Sequence, residues 1–216
     1  MLTQEQHDKL KLTEYKVDLA SGQRPKDGFF GVDKAGTPDL VWDLSQYPWP
    51  FEDDSIEALN CDHYIEHIPM VEINGKDALF AFFDECYRIL KPGGTLTITC
   101  PNARCNRAFQ DPTHRRFIVG ETFMYVAEWW RRENKLDHYN AECNLLGNVN
   151  PIVANEMNLL HPEVANKKFH TEWNSIMDWQ AVLTKHPKGY TPEEILKQIA
   201  WQKTMREMEE AKKEKK

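Results

Sequence analysis

The sequence predicts an α/β domain built on a mostly parallel sheet, and three observations carry that prediction. Residues 15–19, 29–32 and 40–42 are short β-branched or aromatic runs separated by Gly, Pro and Lys clusters. Brief apolar runs of this kind are what strands buried on both faces require. The first run leads into Ala20-Ser21-Gly22, and the next two lead into Asp33 and Asp43, so polar chemistry collects at one end of each. A later apolar segment, residues 76–90, repeats Leu79, Phe82, Phe83, Cys86, Ile89 and Leu90 at three- and four-residue spacing. That spacing gives a helix one face to lay on a sheet.

Taken in order, residues 4–12 predict a short leading helix. The link of residues 20–28 is shorter than the dozen or so residues that usually join parallel strands. The first crossover helix is therefore expected to shrink to a turn or to lie elsewhere. Residues 55–60 read as a fourth strand and 63–68 as the start of a helix interrupted by Pro69. Lys91-Pro92-Gly93-Gly94 ends the next helix and turns the chain into a fifth strand at 95–100. Residues 101–140 form a long excursion, with a turn at 111–114 and a helix over 121–136. Two further strands are expected at 142–154 and 173–183, with a loop at 155–171 between them. Thr191-Pro192-Glu193-Glu194 opens a last helix to about residue 210. The domain reading is one unit over 1–190, with 101–140 as a substrate-side cap, then a C-terminal helix and charged tail at 191–216.

Composition narrows the function classes. The chain has 216 residues, 41% of them hydrophobic, with seven Trp, seven Tyr and ten Phe, enough for a real core. A net charge of −7 argues against binding along bulk nucleic acid. No apolar run approaches the roughly 20 residues of a membrane span, and the polar first residues lack a signal peptide's apolar segment. Five cysteines without a C-x-x-C pair predict reduced thiols in a cytoplasmic protein.

In an open parallel sheet, ligands bind outside the carboxyl ends of the strands. Gly22 lets backbone approach a ligand, and Asp33 stands where such sheets place an acid that binds ribose hydroxyls. Six motifs then occur in order: VDLASG, GFFGVD, WPFEDDSIE, EHI, ILKPGG and DPTHRR. Together they resemble the class I S-adenosylmethionine-dependent methyltransferases, in particular small ones with VD, EH, LKPGG and DPTH motifs. The resemblance covers roughly residues 15–120. It implies a Rossmann-like, seven-stranded mixed sheet of order 3-2-1-4-5-7-6 with a reduced first helix, and S-adenosyl-L-methionine as cofactor.

By that resemblance, Asp18, Ala20, Ser21 and Gly22 line the amino-acid and ribose part of the cofactor and Asp33 takes the ribose. Asp43 and Leu44 sit beside the adenine, and Asn60, Cys61 and His63 line the methyl end. Ala20-Ser21-Gly22 stands where the family has Gly-Cys-Gly, so one glycine is lost.

His63-Tyr64-Ile65-Glu66-His67 has three readings: methyltransferase site lining, a metal site through H-x-x-E-H, or core packing. Pro69 ends the segment too soon for the long helix of a zinc peptidase, so no metal is expected and a zinc hydrolase is the minor alternative. Asp111-Pro112-Thr113-His114 is either a plain hydrogen-bonded turn or a catalytic loop. In the catalytic reading His114 or His67 is the base, with Asp111 beside it.

The acceptor is the least legible part. Residues 104–135 carry seven basic side chains against four acids. That is either a solvated face or a site for an anionic acceptor, read by Arg115, Arg116 and Trp129. The expected activity is methyl transfer to an O or N atom of an unidentified acceptor, such as a nucleotide, a sugar phosphate or a nucleic-acid end. The alternative is a non-catalytic S-adenosylmethionine-binding regulatory or interaction module.

Overall fold

The computed structural model describes residues 2–189 together with Glu193, Glu194 and Lys197. The helix and tail expected beyond Thr191 lie otherwise outside the described residues. Seven strands make one sheet: β1 (Lys16–Leu19), β2 (Phe30–Asp33), β3 (Leu40–Val41), β4 (Ile56–Asp62), β5 (Leu90–Pro101), β6 (Leu145–Val153) and β7 (Ile176–Lys185). Their order is β3-β2-β1-β4-β5-β7-β6, as the resemblance implies. The first five pair in parallel, and β7 runs antiparallel to both β5 and β6. Gly147 is fixed by this packing, because a Cβ there would collide with the Val182 carbonyl oxygen.

The parallel half behaves as its sequence predicts. Val17, Leu19, Phe30, Val32, Leu59, Cys61, Leu96 and Ile98 are almost wholly buried, and all belong to one core cluster. Helix α1 (Gln4–Leu12) starts with a Thr3–Gln6 capping box. Helix α2 (Ala78–Ile89) starts at the Asp77 side chain, which accepts the Leu79 N–H, and buries Phe82, Phe83, Cys86 and Ile89. A hairpin of Glu72–Ile73 with Lys76–Asp77 precedes α2 and occupies what the periodicity assigned to its first turn.

The link from Ala20 to Phe29 holds no helix. A polar clamp stands in its place. Register sets Asp18 on β1 opposite Asn60 on β4. Asn60 Nδ2 donates to Asp18 Oδ1 at 2.8 Å, the Lys26 N–H donates to Asp18 Oδ2 at 2.9 Å, and Lys26 Nζ donates to Asn60 Oδ1 at 2.7 Å. One residue of the loop, Lys26, thus ties it to two strands, through its backbone N–H to β1 and its side chain to β4.

Three expectations are corrected. The helix expected from His63 is only a 3-10 turn, Ile65–His67, preceded by His63 in the left-handed region at φ 53°. The helix expected over 121–136 is split into a 3-10 segment, Gly120–Val126, and a short α4 (Glu128–Glu133). The break falls at Ala127, whose backbone is extended, and the Asn144 side chain accepts the Glu128 N–H. A four-residue helix α3 (Arg107–Gln110) precedes both. The stretch expected as a loop, 155–171, contains a 3-10 turn (Asn155–Leu159) and α5 (Pro162–Thr171), with Pro162 in the first turn.

Candidate functional site

The carboxyl ends of β1, β2 and β3 and the turn after β4 open onto one cleft of about 590 Å³. Ala20, Asp33, Asp43 and Leu44 line one side of it, and His67, Thr113 and Arg115 line the other. A concavity of about 640 Å³ lies at the opposite edge, near Asp54 and Lys185. Its charges are satisfied within it, by the Lys76–Asp84, Arg88–Glu85 and Lys185–Asp54 ion pairs.

On the first side, Asp33 is held by two backbone donors. Gly22 N–H reaches Oδ2 at 2.8 Å and Ala35 N–H reaches Oδ1 at 3.0 Å. A carboxylate has about four lone-pair sites, so each oxygen keeps one for a ligand hydroxyl. Gly22 has φ 61° with nothing within 4 Å of where a Cβ would stand, so the loop leaves room at its crest. Ala20, also in the left-handed region at φ 55°, holds a conformation that favours glycine. Asp43 Oδ1 accepts the Ser45 N–H and hydroxyl, which hold its carboxyl below the usual range. Trp42, Leu44 and Tyr64 add apolar wall.

Other residues expected on this side lie elsewhere. Asp18 and Asn60 are 5% and 1% exposed and are committed to the clamp with Lys26. The Cys61 side chain lies in the core, where burial pushes its thiol well up. Ser21 turns its hydroxyl toward Gly31, under the loop. His63 points away from the cleft toward Glu66, 3.3 Å from Oε1, and that bond raises its pKa.

The second side is a contact between two segments far apart in sequence. The N–H groups of Arg115 and Arg116 both donate to the Glu66 carbonyl, at 2.7 and 3.0 Å, pinning residues 111–116 onto the 3-10 turn. The Asp111 carboxylate accepts both the N–H and the hydroxyl of Thr113, each at 2.7 Å, and these bonds lower its pKa. With its one proton given to Asp111, Thr113 Oγ1 can only accept, and His67 Nδ1 stands 3.0 Å from it. His67 therefore carries its proton on Nδ1. His114 Nδ1 lies 2.9 Å from the Ala108 carbonyl, which also only accepts. A neutral ring with its proton on Nδ1 keeps an Nε2 lone pair. The rings meet edge to face, 4.7 Å between centroids.

The cationic side divides sharply. Arg115 is exposed at the cleft. Arg116 is spent on structure: it donates to the carbonyls of Ile68 and Pro69 and pairs with Asp77 at 2.9 Å. Arg107 pairs with Asp178, Arg104 bonds the His170 carbonyl, and buried Arg131 bonds the carbonyls of Tyr125 and Cys143. The basic excursion is therefore mostly internal stitching. Trp129 packs against Trp130 at 5.6 Å and does not line the cleft. Sequence reasoning missed Lys26, Tyr64 and Thr113. Thr113 stood inside a recognised motif, whereas the Lys26 contact spans 34 residues and leaves no local pattern.

A seven-stranded sheet of this order, with a cleft at its parallel carboxyl edge and an acid closing β2, defines the architecture of a class I methyltransferase. Residues 9–98 match the family model described as "Methyltransferase domain". By that match residues 9–98 are a methyltransferase domain, and the sheet around them has the methyltransferase fold. Among solved structures, a SAM-dependent methyltransferase from Archaeoglobus fulgidus is similar in fold. It shares 17% identity over 83% of this chain and 93% of its own, with a TM-score of 0.52. An S-adenosylmethionine-dependent methyltransferase from Mesorhizobium loti shares 14% identity over 79% of this chain and 90% of its own, with a TM-score of 0.44. No curated protein matches the sequence. Among the described residues, no helix is long and apolar enough to cross a membrane.

Proposed function

We propose that the cleft binds S-adenosylmethionine along its Asp33 side and transfers the methyl group to an oxygen or nitrogen of an anionic acceptor held at its His67 side. The observation that carries this is the single cleft shared by Asp33, Asp43 and Leu44 with His67, Thr113 and Arg115. The residues fit the donor. The free lone pairs of Asp33 suit two vicinal ribose hydroxyls, the open crest at Gly22 leaves space beside them, and Leu44 and Trp42 suit a flat apolar base. When bound, S-adenosylmethionine supplies an electrophilic methyl on a sulfonium.

The chain's own part is to hold, orient and deprotonate. His67 and His114 handle the acceptor's proton, and the Asp111–Thr113 pair positions His67 by fixing its tautomer. Arg115 offers a planar fork to a phosphate or carboxylate on the acceptor. Arg116 and Trp129 drop out of the acceptor site, and Asp18, Asn60, Cys61 and His63 drop out as direct donor contacts.

The test is methyl transfer from isotope-labelled S-adenosylmethionine to panels of nucleotides, sugar phosphates and nucleic-acid ends, with uncharged analogues alongside. Transfer confined to the anionic members, and lost in Arg115→Ala, is the expected result. Transfer to the neutral analogues at equal rates would overturn the acceptor class.

A further inference from the structure

A single proton abstraction needs one base. Beside this cleft three metal-type donors converge instead: one donor atom from each of Glu66, His67 and His114 lies within 4.8 Å of the others. Two further observations separate this cluster from an incidental grouping. Glu66 is 1% exposed, and its Oε2 has no hydrogen-bond partner. A buried carboxylate oxygen left that way is costly, so the arrangement calls for a cation. Each imidazole also has one ring nitrogen held, which leaves Nε2 for an ion: His67 Nδ1 donates to Thr113 Oγ1, itself bonded to Asp111, and His114 Nδ1 donates to the Ala108 carbonyl. Oriented rings with an outer partner on one nitrogen and a free lone pair on the other are what metal-binding histidines show.

We propose that Glu66, His67 and His114 form a binding site for one divalent first-row transition ion, with its remaining positions open toward the cleft. Two imidazole nitrogens and one carboxylate suit Mn²⁺, Fe²⁺, Co²⁺ or Zn²⁺ better than Mg²⁺ or Ca²⁺, which favour an all-oxygen shell. The H-x-x-E-H pairing of His63 with His67 is not this site. His63 stands outside the 3-10 turn, and its Nδ1 is engaged with Glu66 Oε1. Thr113 and Asp111 are positioning residues here, acting through His67. With the ion bound, His67 and His114 are ligands rather than bases, and the ion takes over their part by holding an acceptor oxygen and lowering the pKa of its proton; that role rests on the methyl-transfer reading, and the binding itself does not.

The experiment uses the full chain, stripped with chelator, dialysed and titrated with Co²⁺ and Mn²⁺ by calorimetry, with Co²⁺ uptake also read from its visible absorption. S-adenosylmethionine affinity is measured on the same samples. One ion per chain is expected. Its affinity should weaken at least about tenfold in Glu66→Gln and in His114→Ala, and about 10- to 100-fold in Thr113→Val. Circular dichroism confirms the fold, and Thr113→Val keeps the test decisive where Glu66→Gln fails to fold. A folded wild-type protein that binds S-adenosylmethionine but takes up no stoichiometric ion overturns the metal site and leaves the methyltransferase reading standing. Uptake that survives both Glu66→Gln and His114→Ala overturns it too. So does uptake that survives His114→Ala and vanishes in His63→Ala. A protein that binds neither ion nor S-adenosylmethionine loses both readings.

Discussion

The two sides of the cleft are built by different means. The donor side is a row of strand ends: Ala20 after β1, Asp33 on β2, and Asp43 and Leu44 after β3. Each residue is placed by the sheet itself, since its strand cannot slip without exposing a buried face. The acceptor side has no strand beneath it. It exists because residues 111–116 fold back onto the turn at Ile65–His67, held by two hydrogen bonds to one carbonyl and by the Arg116 clamp. On the proposed reading, the scaffold fixes where the donor lies, and a loop-to-turn contact fixes what can be done with it. Changes on the two sides should therefore separate cleanly into binding and turnover.

The largest expected effect is on the acceptor side. With any acceptor that supports transfer, His114→Ala should lower turnover by about 10²- to 10⁴-fold, the usual worth of acid–base chemistry. Steady-state rates at saturating donor measure it. Arg115 and Arg116, adjacent in sequence, should then behave oppositely. Arg115→Ala should raise the KM for an anionic acceptor about tenfold or more, removing one charge-assisted contact, and leave the urea midpoint unmoved. Arg116→Ala should lower stability by roughly 1–3 kcal/mol, because two carbonyls and Asp77 lose their partner. An Arg116→Ala protein as stable as wild type would show that the clamp does not hold the loop.

Beneath the donor side, at Asp18 and Ala20, the effects are smaller and act through the fold. Burial, outweighing the hydrogen bonds from Asn60 and Lys26, raises the pKa of Asp18 above its ordinary 3.8. The folded state then binds that proton more tightly than the unfolded chain. Asp18's contribution to stability is fully present below about pH 3.8 and is lost as pH rises through its folded value. The stability difference between wild type and Asp18→Asn, read from urea unfolding across that window, should fall as pH rises and then level off. Smallest of all, Ala20→Gly should stabilise by roughly 0.5–1 kcal/mol, relieving a left-handed alanine at some entropic cost. Loss of stability there would mean that the φ of Ala20 carries no strain.

The same division explains what could be read without coordinates. The parallel strands, α2 and Asp33 were legible because their signals are local: short apolar runs, one helical face, an acid at a strand end. The strand order came from the resemblance, not from the pattern. Helix α5 was missed because its periodicity is weak, although His161-Pro162-Glu163 carries the same Pro-Glu start that marked Thr191-Pro192-Glu193. The single helix drawn through 121–136 ignored that Asn144, far along the chain, caps a second one. Nothing local distinguishes Arg115, exposed at the cleft, from Arg116, clamped to Pro69. Glu66 was read within the H-x-x-E-H and E-H patterns, but its approach to His114 was not, because the contact that brings residues 111–116 onto His67 spans 46 residues.

The central claim is that the donor sits on Asp33 and the chemistry on the opposite wall. Calorimetric titration of S-adenosylmethionine into Asp33→Ala, with His114→Ala as the paired variant, tests it most directly. Losing charge-assisted hydrogen bonds worth roughly 1.5–3 kcal/mol should weaken binding to Asp33→Ala about 10- to 100-fold. Binding to His114→Ala should stay within about threefold of wild type, since its ring packs on His67 and bonds the Ala108 carbonyl, away from the Asp33 side. Wild-type affinity in a folded Asp33→Ala protein would contradict the account and remove Asp33 from the site.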